Sequence, residues 1–215
     1  MFADRISAAK SLLPALLRFA GSNNAVIVGL PRGGMVPASV IAKELKLPLG
    51  FLVVKKIGAP GNPELAIGAV AGSEQYLDSE MVASTKTSKA FLAGESRRKN
   101  EEKEERMSEY LKHYKNPSLK GKKVILVDDG VATGTSITAA IKAAKAEGAK
   151  KVFVAVPFTS EEGKDKIRKE GAELITIKVD PNLSSVGEYY ESFPQVEDEE
   201  VLSILENAKN SYYNK

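Results

Sequence analysis

The sequence contains no cysteine and a single histidine, and these two shortages exclude several kinds of active site. Without cysteine there is no disulfide framework, no thiolate nucleophile and no cysteine-ligated zinc or iron–sulfur centre. The one histidine, His113, excludes a histidine-rich metal site and leaves little room for a Ser-His-Asp triad. What remains is chemistry based on oxygen ligands, backbone amides and cationic side chains.

Long apolar runs are also missing, since a membrane span needs about 18 consecutive apolar residues. The N-terminal segment 1–22 could be mistaken for a targeting sequence, but its apolar residues recur at helical spacing and Pro14 interrupts them. A signal peptide would instead carry an unbroken apolar stretch of roughly 7–15 residues. We therefore expect a cytoplasmic protein with no membrane partner.

Neither sign of charge is in large excess. The sequence has 31 Lys and Arg residues and 28 Asp and Glu residues, for a net charge of +3. The pI of about 8.8 is mildly basic. A dedicated nucleic-acid-binding domain is expected to have a pI above roughly 9 and clustered basic residues. The densest charged segment, ESRRKNEEKEER, mixes both signs and is typical of a solvated helix face. No nucleic-acid partner is predicted.

Apolar runs and amphipathic stretches alternate along most of the chain. Short apolar runs typical of buried strands lie at 25–30, 49–54, 123–128, 151–157 and 173–179, with two further short strands at 66–71 and 75–77. Helices are predicted near the N-terminus and at 37–47, 88–114, 135–147, 160–170 and 198–208. Strands that alternate with helices predict an α/β fold with a doubly wound, mostly parallel sheet, and the length suits one domain over residues 1–215.

One segment, VILVDDGVATGTS, carries the strongest functional signal. Four aliphatic residues build a buried strand, Asp128 and Asp129 stand at its end, and a loop of small residues then leads into a helix. Ligands of open α/β sheets bind at the carboxyl ends of the strands, and a helix N-terminus preceded by such a loop suits a phosphate. Paired carboxylates would repel a phosphate, so they suit ribose hydroxyls or a hydrated divalent metal.

The alternative is that Asp128 and Asp129 only cap a turn, while the hydroxyl residues cap the helix. One Asp would suffice for that purpose, so the functional interpretation is favoured. The segment is neither a P-loop, because no GxxxxGKS/T is present, nor a dinucleotide-binding GxGxxG.

The same string closely resembles the phosphoribosyl-pyrophosphate (PRPP) binding motif of type I phosphoribosyltransferases. The resemblance continues through GLPRGG, VVKKIGAPGNPELAIGAVA and VGEYYESFPQVEDEEV, and covers about residues 26–201. Together these segments are similar to a bacterial and archaeal group of predicted phosphoribosyltransferases whose acceptor is poorly defined. The resemblance implies magnesium-dependent transfer of 5-phosphoribosyl from PRPP to a nitrogenous base or related acceptor, with release of pyrophosphate, in nucleotide metabolism. It also implies a homodimer and a small hood from the terminal segments, namely the N-terminal helix and about 180–215.

The resemblance also assigns roles to individual residues. Asp128 and Asp129 would hold the ribose hydroxyls and, directly or through water, magnesium. The 5′-phosphate would lie against Ala132, Thr133, Gly134, Thr135 and Ser136, and pyrophosphate against Pro31, Arg32, Gly33 and Gly34. A planar guanidinium such as that of Arg32 can bridge two phosphate oxygens.

The Gly and Pro content of residues 55–64 predicts a loop. The resemblance implies a mobile loop that closes over the site before reaction, and this segment is the candidate. Lys55 and Lys56 are predicted to act there together with Arg32 and the two acids. Successive residues of an extended segment face opposite ways, so only one of the two lysines is expected to reach the ligand. The pattern leaves open which one it is.

The acceptor pocket has the weakest signal. Tyr189, Tyr190 and Phe193 could stack on a planar base, or they could equally be packing that anchors the tail. In 6-oxopurine enzymes an acid occupies the position that matches Ala132, so the alanine argues against hypoxanthine or guanine as acceptor.

Two other functions compete with the enzyme. A non-catalytic PRPP or nucleotide sensor would keep the same fold and regulate through a partner. A phosphotransfer receiver module would use its Asp pair to bind magnesium, but the phosphate loop downstream and the lack of a separate phosphoacceptor Asp on a central strand disfavour it.

Overall fold

The computed structural model describes residues 1–213 of the chain, with side chains through residue 210. Its helices are α1 (Arg5–Leu16), α2 (Met35–Leu45), α3 (Ser79–Ser84), α4 (Lys89–His113), α5 (Thr135–Ala146), α6 (Glu161–Lys169) and α7 (Asp198–Tyr213). Its strands are β1 (Ala25–Gly29), β2 (Leu49–Phe51), β3 (Val54–Ala59), β4 (Asn62–Ala71), β5 (Glu74–Leu77), β6 (Lys123–Val127), β7 (Lys151–Thr159) and β8 (Glu173–Val179).

The core is a five-stranded sheet in the order β2-β1-β6-β7-β8, and every neighbouring pair is parallel. Alternate residues of one strand enter different apolar clusters. Ile27 and Ile125 pack on the side of α1, α2 and α7, whereas Val28 and Leu126 pack on the side of α5 and α6. Because helices cover both faces, the central strands β1, β6 and β7 are almost entirely apolar. The predicted α/β fold with a doubly wound parallel sheet is confirmed.

A second sheet of three antiparallel strands, β3-β4-β5, forms a small hood. Residues 55–64, predicted to be a loop, lie within a β-hairpin, so the prediction of a loop is wrong. The closure of this segment over the site stays a prediction. Ala59 pairs with Asn62, so Pro60 and Gly61 make a two-residue turn in which Gly61 has φ +74°. The Gly and Pro residues thus serve a tight turn and an irregular register.

The terminal segments have different places. Helix α1 packs on the parallel sheet through Ala9, Leu12 and Leu16, and is not part of the antiparallel hood. The chain beyond β8 returns over the carboxyl ends of the strands, where Tyr190 forms a bridge with Phe2. The N-terminal residues and the segment around Tyr190 therefore meet beside the motif that carries the two acids.

The long charged helix predicted at 88–114 is present as α4, which Ser88 caps at its N-terminus. Tyr110 is its largest buried side chain and packs edge-on against Phe51. Residues 1–213 include no helix with the length and apolar character needed to cross a membrane.

Candidate active site

A cavity of about 300 Å³ opens at the carboxyl ends of β1 and β6. Its lining comes from the loop after β1, from the hood, from the end of β6 and from the start of α5. The lining residues are Leu30, Pro31, Arg32, Gly33, Val54, Lys56, Asp128, Asp129 and Ser136. Six of them, excluding the apolar Leu30 and Val54 and the hood residue Lys56, were assigned from the sequence to a ribose, phosphate or pyrophosphate site.

The loop after β1 approaches the two acids so closely that only glycine fits. A Cβ on Gly33 would lie 2.4 Å from Oδ2 of Asp129, and one on Gly34 would lie 2.7 Å from Oδ1 of Asp128. The peptide bond between Pro31 and Arg32 is cis. The GLPRGG and VDDG segments, about one hundred residues apart in the chain, therefore form one surface.

The two acids lie in an environment that disfavours two negative charges. Burial and the neighbouring Asp129 carboxylate raise the pKa of Asp128 well above its usual range. Burial also raises the pKa of Asp129, although a hydrogen bond from Arg5 offsets part of this rise. Titratable groups with perturbed pKa values inside a cavity are typical of functional sites.

Arg5 is the site residue that sequence reasoning missed. Its Nε donates to Oδ2 of Asp129 at 2.8 Å, and its Nη1 donates to the carbonyl oxygen of Pro194 at 2.8 Å. The guanidinium also lies over the ring of Phe193, with Cζ 3.7 Å from the ring centroid. A charged residue in the first turn of an amphipathic helix gives no local signal that it will be buried against an acid far along the chain.

The segment predicted to hold the 5′-phosphate, the phosphate loop of residues 132–136, leads into the first turn of α5. Gly134 adopts φ +74° and is the N-cap of α5, so the loop runs directly into a helix N-terminus. The hydroxyl oxygens of Thr133 and Thr135 lie 3.3 Å apart. Backbone amides at such a terminus attract a phosphate.

Helix α6 supports this loop from behind. The Ser160 hydroxyl donates to the carbonyl oxygen of Ala132. Lys166 Nζ donates to the carbonyl oxygen of Thr133 at 3.0 Å and to Oδ2 of Asp78 in the hood at 2.7 Å. Burial lowers the pKa of Lys166, but its hydrogen bonds to Asp78 and Glu162 outweigh this and raise it above its ordinary value. Lys166 therefore joins the phosphate loop to the hood.

The structure distinguishes the two lysines of β3. Lys56 lines the cavity beside Asp128, whose negative charge it favours. Lys55 faces α4 instead, where its Nζ lies 3.6 Å from Oε2 of Glu102. Burial, followed by the nearby charge of Arg106, lowers the pKa of Lys55. Alternation along the strand thus directs Lys56, and not Lys55, towards the cavity.

Arg32 borders the cavity, and its guanidinium is paired with acids at the start of α7. Its Nη1 lies 2.5 Å from Oε2 of Glu197 and 3.8 Å from Oδ2 of Asp198. The side chain is about one-quarter exposed, at 26%. At Nη1 of Arg32, a phosphate ligand would compete with Glu197.

Tyr189, Tyr190 and Phe193 were considered as residues that stack on the acceptor base. In the structure their side chains contact other residues of the chain. The ring of Tyr189 stacks on Phe158 with centroids 4.2 Å apart, and that of Tyr190 stacks on Phe193 at 4.9 Å. Tyr190 is buried, and its hydroxyl donates to the backbone oxygen of Asp129 at 2.6 Å. These contacts correspond to the packing alternative, and Phe193 has the most exposed ring of the three.

Comparison with known protein families gives one decisive match. Residues 4–192 match the family described as "Phosphoribosyl transferase domain". The chain belongs to this family.

Relatives of this phosphoribosyl transferase domain agree with that assignment. A protein of Mycobacterium tuberculosis named "Putative phosphoribosyl transferase" is 33% identical over 213 residues, which are 99% of this chain and 48% of the relative. The chain thus spans about half the length of the curated relatives it matches. The crystal structure of TT1426 from Thermus thermophilus is 38% identical with a TM-score of 0.79, and the match covers 96% of this chain and 98% of that one. A shorter match, 42% identical over 60 residues, covers 27% of this chain and 35% of an adenine phosphoribosyltransferase of Mycoplasmopsis agalactiae.

The donors of this phosphoribosyl transferase domain fit magnesium that arrives with a phosphorylated ligand. Within residues 1–213, no three His, Cys, Asp or Glu side chains are grouped to hold a metal by themselves. Asp128 and Asp129 supply carboxylate oxygens at the cavity wall. Magnesium commonly binds one or two carboxylates, keeps several waters and takes its other ligands from phosphates.

Proposed function

We propose that the protein transfers the 5-phosphoribosyl group of PRPP to a nitrogenous base or related acceptor, with magnesium, and releases pyrophosphate. The observation that carries this proposal is the convergence of three elements on one cavity. These are the Asp128–Asp129 pair, the first turn of α5 at Ser136, and the glycine loop after β1. The family match supports phosphoribosyl transfer in general.

Each element has a chemical task in this reaction. The carboxylates of Asp128 and Asp129 accept hydrogen bonds from the ribose hydroxyls, and the amides at the start of α5 hold the 5′-phosphate. Lys56, and Arg32 once it exchanges Glu197 for a ligand oxygen, bind the pyrophosphate. Asp128 and Asp129 would hold magnesium directly or through water, and the bound ion would neutralise charge on the pyrophosphate.

The transfer itself is a substitution at C1 of the ribose. The bond between C1 and the pyrophosphate oxygen breaks with its electron pair on the leaving oxygen, and a nitrogen lone pair of the acceptor forms the new bond to C1. The proton lost by the nitrogen passes to solvent or to the departing pyrophosphate. Positioning and stabilisation of the leaving charge are then the main sources of catalysis.

The phosphate loop lacks an acidic residue, and this limits the class of acceptor base. Ala132 cannot accept a proton, so the loop provides no acid beside the base, and we propose an acceptor other than a 6-oxopurine. The short similarity to an adenine phosphoribosyltransferase supports adenine as the first base to assay.

Titration calorimetry with PRPP, with and without magnesium, tests the proposal directly. Magnesium-dependent binding is expected, followed by pyrophosphate release when the correct base is added from a panel that begins with adenine and orotate. PRPP binding without pyrophosphate release for any base would favour the alternative function, a non-catalytic sensor. Absence of any PRPP binding would contradict both functions.

Lys56→Met and Lys55→Met form a matched pair on adjacent residues. Lys56→Met is expected to raise the Kd for PRPP by about 10-fold or more, because a hydrogen bond to a charged group is worth roughly 1.5–3 kcal/mol. Lys55→Met should change it by less than about 3-fold, since Lys55 faces Glu102 outside the cavity. The same titration measures both values, and equal losses in the two variants would contradict the assignment of Lys56.

A further inference from the structure

We propose that Arg5 is a positioning residue that holds Asp129 in the orientation required by the ribose hydroxyls. The inference rests on the proposed function, since it concerns how the same cavity recognises ribose. It assigns a role at the site to the N-terminal helix, which lies on the parallel sheet and contributes no residue to the lining of the cavity.

The carboxylate of Asp129 is held on one side by Arg5. Oδ2 accepts the hydrogen bond from Nε at 2.8 Å, and the side chains of Arg5 and Asp129 are only 8% and 13% exposed. The same oxygen faces Gly33, where even a methyl group would lie 2.4 Å away. Oδ2 is therefore enclosed by protein, and the rotation of the carboxylate about its last bond is fixed.

The guanidinium is itself held from two further directions. Nη1 donates to the Pro194 carbonyl oxygen at 2.8 Å, and the group lies over the ring of Phe193. The backbone of the acid is also held, because the Tyr190 hydroxyl donates to the Asp129 carbonyl oxygen at 2.6 Å. Residues 190–194 and the first turn of α1 thus form a frame around Asp129.

This arrangement requires an arginine and not merely a positive charge. A guanidinium is planar and donates in several fixed directions, so it can reach a carboxylate and a carbonyl at once while one face stacks on a ring. A lysine ammonium is a point charge on a flexible chain and cannot hold all three partners. Arg5→Lys therefore keeps the charge and removes the geometry.

The experiment compares ligands with and without ribose hydroxyls. Kd values for PRPP and ribose 5-phosphate, and for pyrophosphate as the ligand without ribose, are measured with magnesium on wild type, Arg5→Lys and Arg5→Met. We expect both variants to bind the two ribose ligands about 10- to 100-fold more weakly. Because Arg5→Lys keeps the charge, its affinity for pyrophosphate should stay within about 3-fold of wild type.

Arg18→Met is the matched control. Arg18 lies in the next turn of chain after α1 and pairs with Glu173 in an exposed contact away from the cavity. Its substitution should leave all three affinities unchanged. If Arg5→Met fails to fold, Phe193→Leu removes the ring beneath the guanidinium and should weaken ribose 5-phosphate binding about 3-fold, with little effect on pyrophosphate.

Three results would overturn the inference. Unchanged affinity for the ribose ligands would show that Asp129 needs no such support, and tighter binding would show that Arg5 competes with ribose. An equal loss for all ligands in Arg5→Lys would show a general structural role. If wild type itself binds no PRPP, the proposed function fails and the role of Arg5 fails with it, a result distinct from the other three.

Discussion

Replacing Asp128 and Asp129 together with asparagine is expected to raise the Kd for PRPP at least about 100-fold. Asparagine nearly preserves the shape of each side chain but replaces a carboxylate by a neutral amide with one acceptor oxygen. Each lost hydrogen bond to a charged group is worth roughly 1.5–3 kcal/mol, and about 1.4 kcal/mol corresponds to a factor of ten in Kd. Titration calorimetry with PRPP and magnesium measures the effect.

The fold should survive this double substitution. The two adjacent carboxylates are largely buried. Replacing them removes the cost of burying negative charge and their mutual repulsion, which are the causes of their raised pKa values. Arg5 loses its charged partner at the same time, which acts in the opposite direction. We expect Tm to shift by less than about 5 °C, with an unchanged circular dichroism spectrum. Asp165→Asn, at an exposed position of α6, is the control. PRPP affinity equal to wild type in the double variant would refute the site assignment.

Gly34→Ala is expected to lower both stability and binding. The added Cβ would lie 2.7 Å from the carbonyl oxygen of Leu30, 2.8 Å from that of Val127 and 2.7 Å from Oδ1 of Asp128. Two of these three atoms belong to the backbone of the core strands or the loop that follows, so they cannot turn aside as a side-chain end would. We expect the free energy of unfolding to fall by about 1–3 kcal/mol, as overpacking commonly costs. The displaced loop should also lose most of its affinity for PRPP.

Gly94→Ala is the control, because it is expected to raise stability where Gly34→Ala lowers it. Gly94 lies in the second turn of α4, and a Cβ there would meet nothing within 4 Å. Alanine should therefore raise the free energy of unfolding by roughly 0.5–1 kcal/mol through helix propensity alone, with PRPP binding unchanged. Urea denaturation measures both variants. A Gly34→Ala protein as stable as wild type that still binds PRPP would show that the loop tolerates a wider approach to Asp128.

Local patterns were sufficient for the parallel core. The apolar runs that form β1, β6 and β7 are buried on both faces, so hydrophobicity alone marks them, and the alternation with helices selects a doubly wound sheet. The hairpin of β3 and β4 was missed because its partner strands owe their stability to pairing with each other and to packing on α4 and α5. Gly58, Pro60, Gly61 and Pro63 are read locally as loop formers, yet in the sheet they permit a tight turn and an irregular register.

The site shows the same division at the level of single residues. The DDGVATGTS segment and, through the family resemblance, PRGG predicted the roles of the two acids, the loop before α5 and the glycine loop, because each prediction depends on a short stretch of backbone. Lys56 could be separated from Lys55 only when the hairpin showed which face covers the cavity. The pairing of Arg32 with Glu197 likewise depends on where α7 begins relative to β1.

The sequence alone determined the class of chemistry and the parallel sheet that presents it. The signals were the lack of cysteine, the single histidine and the motif around Asp128. These properties follow from local composition and from backbone periodicity, which the order of residues expresses directly. Only the tertiary structure placed Arg5 against Asp129, Lys56 over the cavity and Lys166 behind the phosphate loop. Those contacts join residues far apart in the chain, and their geometry depends on how whole helices and sheets pack, which no short segment encodes.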